Sequence, residues 1–344
     1  MEVAARLVTV PLAETFVIAR DSQDEAELVE VEIRHEGVSG FGEGAPIDRY
    51  DETVSSAMAF VESHADLLGD DPFALEEIGA RLSGVPVERA AMSALDAALH
   101  DLCGKLVGLP VWRLLGLGGA GPPTSWTIGL GDPDEMAKKA ERAGRFKRLK
   151  LKLGGRDGHD IERVEAVRGV TDVPLQVDVN EYWTVDETLD ALPRLAALGV
   201  EYCEQPIPAR EALETPQVKK CAPIPIYLDE NCHTSADVAD CARVAHGVNV
   251  KLAKAGGIRE AIRVVHAARA LGLGVMLGCM VETGLGIAAG AQVASLFDHV
   301  DLDGNLLLAE DPWPGVSFVE GVQLPSEAPG LGVTRARQTV PDPR

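Results

Sequence analysis

The sequence predicts an α/β protein: a (β/α)-barrel, that is a modified TIM barrel, with an N-terminal α+β capping domain completed by the C-terminal tail. Three observations predict it. The first hundred or so residues alternate as strands do and then take helical spacing; from about Ser125 short apolar runs alternate with amphipathic stretches. Ionisable or polar residues then mark the ends of those runs about every 22 to 28 residues, close to the roughly 30 residues per unit of such a barrel. A doubly wound sheet is the rival arrangement for the same alternation.

In chain order, Leu28 to Ile33, a Gly-bearing turn at Glu36-Gly37 and Val38 to Glu43 read as an antiparallel meander. Helical spacing follows over Thr53 to Leu68 and over Val87 to Leu106, where Ala91, Ala94, Leu95, Ala98, Leu99 and Leu102 share one face. This small unit occupies residues 1–118. The barrel occupies 119–308. Its runs Arg148 to Leu153 and Leu175 to Asn180 precede helices around Asp160 to Val170 and Asp186 to Leu198. Further runs are Val200 to Glu204, Ile226 to Glu230, Val248 to Leu252, Gly274 to Leu277 and His299 to Leu302, with a helix over Arg259 to Leu271. Residues 309–344 are Pro- and Gly-rich and then strand-like, which suits a tail returning to the first unit.

Composition narrows the function. With 54 acidic against 32 basic residues and a net charge of -22, the chain lacks the clustered cations that bind nucleic acid or an anionic membrane surface. No stretch approaches 18 uninterrupted apolar residues and no signal-peptide pattern opens the chain, so a cytoplasmic protein is expected. The six cysteines form no C-x-x-C pair, and reduced thiols are the expectation.

The chemistry sits at the run ends. Asp178, Glu204 and Asp229 each end an apolar run, so a barrel brings them to one mouth, where three hard oxygen donors suit Mg²⁺. Each one alone reads equally as a helix N-cap or a loop charge. Lys150 and Lys152, one residue apart, share a face. If that face is the interior, repulsion and desolvation lower at least one pKa toward that of a general base; if it is the outside, they are solvated and the leucines between them fill the core. Lys251 lies four units on, on the opposite wall, and Lys254 with Gly256-Gly257 reads as the turn into the next helix. Asp301 and Asp303 read as a second metal site, a receptor for an ammonium group, or simply an acidic loop.

The order of these residues resembles the enolase superfamily, specifically its muconate lactonizing enzyme subgroup, over essentially the whole chain. Lys150-Leu151-Lys152 looks like the subgroup's K-x-K motif, and Asp178, Glu204 (in Glu204-Gln205-Pro206) and Asp229 (in Leu228-Asp229-Glu230) resemble its metal ligands. Lys251 resembles its second base. Ala90-Ala91-Met92 through Gly116 and Pro329 to Val333 are similar to the family's cap-domain ends. Within the subgroup, Asp301-Leu302-Asp303-Gly304 looks like the D-x-D motif of dipeptide epimerases. Phe16 to Arg20, Asp229 to Thr234 and Leu277 to Met280 resemble the bacterial L-Ala-D/L-Glu epimerases that serve murein peptide recycling.

The resemblance implies roles. Lys152 and Lys251 exchange the α-proton of a dipeptide's second residue. Lys150 and one Mg²⁺ per subunit, held by Asp178, Glu204 and Asp229, stabilise the enolate. Thr127, Cys279 and Met280 line the substrate, while Asp301 and Asp303 hold its ammonium group. Specificity falls to loops near Arg20 to Glu25 and Ile47 to Asp51, where Arg20 or Arg49 faces an acidic side chain. Asp21, Asp24, Glu25, Asp48 and Asp51 surround those arginines, so another dipeptide stands beside Ala-Glu. The implied partners are a small dipeptide and, in a homo-oligomer, further copies of the chain, with no nucleic acid and no membrane. A cycloisomerase or N-acylamino-acid racemase of the same subgroup, and a silent metal-binding barrel acting by association, are the competing implications.

Overall fold

The computed structural model describes residues 1–336. Strands β1 (Glu2–Ile18), β2 (Asp21–His35) and β3 (Val38–Gly44) form the antiparallel meander, in that order. Alternation along β2 gives it two buried faces. Val29, Val31 and Ile33 pack on the cap's helices, while Ala26 and Leu28 join a small cluster with Ala253 and Leu308 of the barrel. The register of β1 on β2 breaks between Pro11 and Phe16. Pro11 has no N–H to give, and its carbonyl accepts instead from the Ala309 N–H at 2.9 Å. The far end of the hairpin, with Arg20 at its tip, thus reaches over the barrel.

The expected helices form at Val54–His64, continued as a 3-10 turn to Leu68, and at Arg89–Val107. Thr53 and Ser56 cap the first reciprocally. The long helix lies directly on β3. A Cβ at Gly40, Gly42 or Gly44 would come within 2.2 Å of the carbonyl oxygen of Ala98, Ala94 or Ala90 respectively. Strand period two thus meets helix period four with no side chain between them. A further helix, Leu75–Leu82, lies where the sequence reading made no assignment; it has only eight residues and no side-chain cap to announce it.

Eight parallel strands follow: β4 (Trp126–Ile128), β5 (Leu149–Lys152), β6 (Leu175–Asp178), β7 (Val200–Glu204), β8 (Ile226–Leu228), β9 (Gly247–Lys251), β10 (Gly274–Gly278) and β11 (His299–Asp301). They pair strictly in sequence order, which excludes the doubly wound rival, whose order reverses. The ring is drawn shut where Thr124 bridges Val300 and the Ser125 N–H donates to the Val300 carbonyl at 2.9 Å. Outward residues such as Leu149, Leu151, Val177, Leu228, Val250 and Leu277 join one core with the surrounding helices. Inside, Tyr202, Tyr227 and Met276 form an apolar layer, and the Tyr202 hydroxyl donates to Gln176 at 3.1 Å. Among the described residues no helix is long and apolar enough to cross a membrane, and all six cysteines are free.

The tail adds the hairpin β12 (Ser317–Val319) and β13 (Val322–Leu324) and then returns to the cap. The Trp313 indole donates to Glu30 at 2.9 Å, and Asp101, on the long cap helix, accepts from the Leu331 N–H at 2.7 Å.

Cap and barrel are also joined through Glu43 of β3. Its carboxyl accepts from the backbone N–H and the hydroxyl of Thr283, at 2.9 and 2.5 Å, just ahead of the helix Gly284–Ala291. Burial, with Glu282 and Asp311 nearby, pushes the Glu43 pKa up to about 8 against the donors' opposing pull. A carboxyl with a raised folded-state pKa stabilises the fold below its unfolded value near 4.5, and that stability is lost as pH rises toward about 8. Melting temperature should therefore fall between pH 5 and 8, and Glu43→Gln should flatten the fall by roughly 5 °C or more. Calorimetry across that range checks it; an unchanged slope in the variant would refute the assignment.

Candidate active site

The register of the barrel assembles the site. Lys152 of β5 pairs with Asp178 of β6, which pairs with Glu204 of β7, so the three share one rung across adjacent strands. Glu204 pairs with Tyr227, which puts Asp229, two residues on and on the same face, one rung higher. Lys251 ends β9 and pairs with Gly278, and Gly278 pairs with Asp301. A Cβ at Gly278 would lie 2.7 Å from Asn249 Oδ1 and 3.1 Å from the Lys251 side chain, so glycine leaves room for both.

All four residues of β5 are buried, so Lys150 and Lys152 face the interior and the solvated-edge alternative falls. Lys152 Nζ donates to Asp178 Oδ2 at 2.6 Å. Lys150 Nζ lies 2.9 Å from Asp301 Oδ2, 2.8 Å from Glu204 Oε2 and 3.4 Å from Asp178 Oδ2. Lys251 Nζ donates to Asp229 Oδ2 at 2.8 Å. The expectation that repulsion depresses a lysine pKa is not met at Lys150. Burial pulls its ammonium down, but Asp301, Glu204 and Asp178 outweigh burial and hold it well above its ordinary value. Lys251 is likewise raised, by Asp229 and Glu204 against burial. The sequence reading counted the two neighbouring ammonium groups and not the carboxylates set between them.

The carboxylates divide. Burial works against ionisation of Asp178, but Lys152 and Lys150 hold it at about 2, and Lys251 and Lys254 hold Asp229 well below the usual carboxylate range. Glu204 is raised, by burial and then by Asp178. Its Oε2 is buried without a well-directed hydrogen bond, having only the Lys150 ammonium beside it. Each carboxylate turns to an ammonium partner, and among the described residues no three acid, histidine or cysteine side chains close on one point as they stand. The donor set nevertheless fits Mg²⁺: three buried carboxylates at successive strand ends, all oxygen, with the under-bonded Glu204 oxygen among them.

Sequence reading missed the supports of this set. Lys254 is no turn residue. It lies in a one-turn helix, Leu252–Ala255, fully buried, and its Nζ grips Asp229 Oδ1 at 2.6 Å, the Asp229 carbonyl, and the Asn249 carbonyl at 2.9 Å. Asn249 donates to Glu204 Oε1 at 2.7 Å, and Gln205 accepts from the Asp229 and Glu230 N–H groups at 2.9 and 3.1 Å. A lysine three residues past Lys251 was the one available signal, since a single helical turn folds it back over the strand end.

Across the mouth, the Thr127 N–H donates to Asp303 Oδ2 at 2.6 Å and its hydroxyl to Asp301 Oδ1 at 3.3 Å. Burial and then Asp301 raise Asp303 to about 7. Cys279 and Met280 follow β10, and the Met280 N–H donates to Glu282 at 2.9 Å. The two arginines are not free cations. Arg20 Nη1 pairs with Glu230 at 2.7 Å and lies 3.7 Å from Glu181, while Arg49 makes a two-point pair with Glu181 at 2.8 and 2.9 Å. The acids that engage them come from the barrel loops, and not from Asp21, Asp24, Glu25, Asp48 or Asp51 beside them in sequence.

Comparison with known proteins identifies the family. Residues 1–116 match the mandelate racemase/muconate lactonizing enzyme N-terminal domain, and residues 134–339 match the enolase C-terminal domain-like family. The chain is 40% identical to the L-Ala-D/L-Glu epimerase of Bacteroides thetaiotaomicron, over 94% of this chain and 85% of that protein. It is 39% identical to the L-Ala-D/L-Glu epimerase of Escherichia coli, over 90% and 95%. The crystal structure of a dipeptide epimerase from Enterococcus faecalis, complexed with Mg and L-Leu-L-Tyr, superposes with a TM-score of 0.92 at 32% identity, covering 97% of this chain and 99% of that one. With both domains matched and 94% of its length covered by a relative 40% identical to it, the chain belongs to the mandelate racemase/muconate lactonizing enzyme family of the enolase superfamily.

Proposed function

We propose that the chain is an isomerase, a Mg²⁺-dependent dipeptide epimerase that inverts the α-carbon of the second residue, with L-Ala-D/L-Glu as its leading substrate. One observation carries the reading: two buried lysines, Lys152 and Lys251, end strands four apart in an eight-stranded barrel, with Asp178, Glu204 and Asp229 between them. Bases on opposite walls reach opposite faces of one carbon. Relatives that are epimerases, and a neighbour crystallised with Mg and a dipeptide, support it.

In this reading Asp301 and Asp303 fix the dipeptide's ammonium group, and Thr127 holds those two carboxylates in place. Lys152 Nζ or Lys251 Nζ, as the neutral amine, takes the α-proton, and the opposite ammonium returns one to the other face. Lys150 Nζ donates to the carboxylate oxygen on which charge builds. Asp178, Glu204 and Asp229 would hold one Mg²⁺ per subunit, whose charge would stabilise the enolate. Lys254 and Asn249 fix the ligands on which this depends.

The pairing of Arg20 with Glu230 and of Arg49 with Glu181 favours a second reading on specificity, in which the second residue is not acidic. With L-Ala-L-Glu as substrate the protein serves murein peptide turnover in the cytoplasm. Incubation with L-Ala-L-Glu and a small L-Ala-L-Xaa library in D₂O decides between these readings. Deuterium should enter the second α-carbon with inversion, and no incorporation with any dipeptide would refute the epimerase.

A further inference from the structure

We infer that Asp301, besides receiving the substrate's ammonium group, is the counter-ion that restrains Lys150 in the free enzyme, so that arrival of the ammonium releases Lys150 to the reacting carboxylate. The inference rests on the dipeptide reading above.

Lys150 Nζ is fully buried and lies in a ring of three carboxylates. Asp178 and Glu204 belong to the metal side of the mouth. Asp301 comes from β11, on the other side of Lys150, and its Oδ2 accepts from Nζ at 2.9 Å. Its Oδ1 faces Thr127 Oγ1, and Asp303 beside it accepts the Thr127 N–H. A dipeptide ammonium held by the two aspartates therefore competes with Lys150 for the Asp301 carboxylate. The site is too dry for water to screen two ammonium groups sharing one carboxylate, so the lysine yields. Its remaining partners, Glu204 Oε2 at 2.8 Å and Asp178 Oδ2 at 3.4 Å, both lie on the metal side of the mouth. A ligand without the ammonium leaves Lys150 tied to Asp301. The ammonium then contributes to turnover and not only to binding, because it frees a group needed in the transition state.

N-propionyl-L-glutamate, which is L-Ala-L-Glu with the ammonium replaced by hydrogen, tests this; if the library selects another second residue, its N-propionyl counterpart is used. Exchange at the second α-carbon in D₂O with Mg²⁺ is followed by NMR at saturating ligand for wild type, Asp301→Asn and Asp303→Asn. Asp301→Asn should be slower than wild type on the dipeptide yet roughly tenfold faster on the N-propionyl compound, a crossed effect that loss of binding or of packing does not produce. Asp303→Asn, which leaves the Lys150 contact in place, should weaken dipeptide binding and give no gain. An Asp301→Asn rate on the N-propionyl compound at or below that of wild type overturns the restraint. Failure of the epimerase reading is seen separately, as a wild type that exchanges no dipeptide.

Discussion

Lys152→Ala and Lys251→Ala should each abolish epimerisation, with a loss of roughly 10³-fold or more in both directions, since every inversion in the proposed mechanism uses both walls of the barrel. The two variants differ in what survives. With Lys251 gone, the epimer whose α-proton faces Lys152 still exchanges with D₂O without inverting; with Lys152 gone, the opposite epimer does. NMR of each pure epimer checks this. If both variants retain exchange on the same epimer, the lysines do not act on opposite faces. The buried ion pairs of Lys152 with Asp178 and of Lys251 with Asp229 also require that folding be checked alongside.

Asp229→Asn carries the second large effect. One carboxylate there answers two buried ammonium groups, Lys251 on Oδ2 and Lys254 on Oδ1. Breaking a buried pair by removing one partner costs about 3 to 5 kcal/mol, because the other charge stays buried and uncompensated. Urea unfolding in the presence of chelator isolates this cost from metal binding, and adding Lys254→Met should recover part of it. Activity should not recover in the double variant, since a proposed Mg²⁺ ligand is still missing and titration calorimetry with Mg²⁺ should find weakened binding. Equal stability of wild type and Asp229→Asn would mean that the two lysines have other counter-charges.

Much of this site was legible in the sequence because a barrel turns spacing into position. A charged residue ending a short apolar run has one place to go, and Asp178, Glu204 and Lys251 end their strands as read. What stayed hidden depends on pairing at a distance. Arg20 and Glu230 are 210 positions apart, and no local pattern says that a cap hairpin tip meets the residue after a metal-ligand candidate. Lys254 depends on a four-residue helix too short to leave a period. The protonation of Lys150 depends on three carboxylates from three strands, so its direction could be judged only after the strands were in register. The helix Leu75–Leu82 was missed for want of length and cap.

The return of the tail to the cap bears on how the chain comes off the ribosome. Glu30 and Asp101 are buried in the first unit, and among their donors are Trp313 and Leu331, more than two hundred residues later. A carboxylate left without such donors is costly to bury. The nascent cap therefore cannot reach its final packing when its own last residue emerges. Until the tail arrives, Glu30 has Arg6, and Asp101 has Lys105 and the Phe41 N–H, as partners within the cap itself. Domain-by-domain folding from the N-terminus, the usual course for a chain of this size, therefore leaves the cap's last buried bonds to be made by the tail.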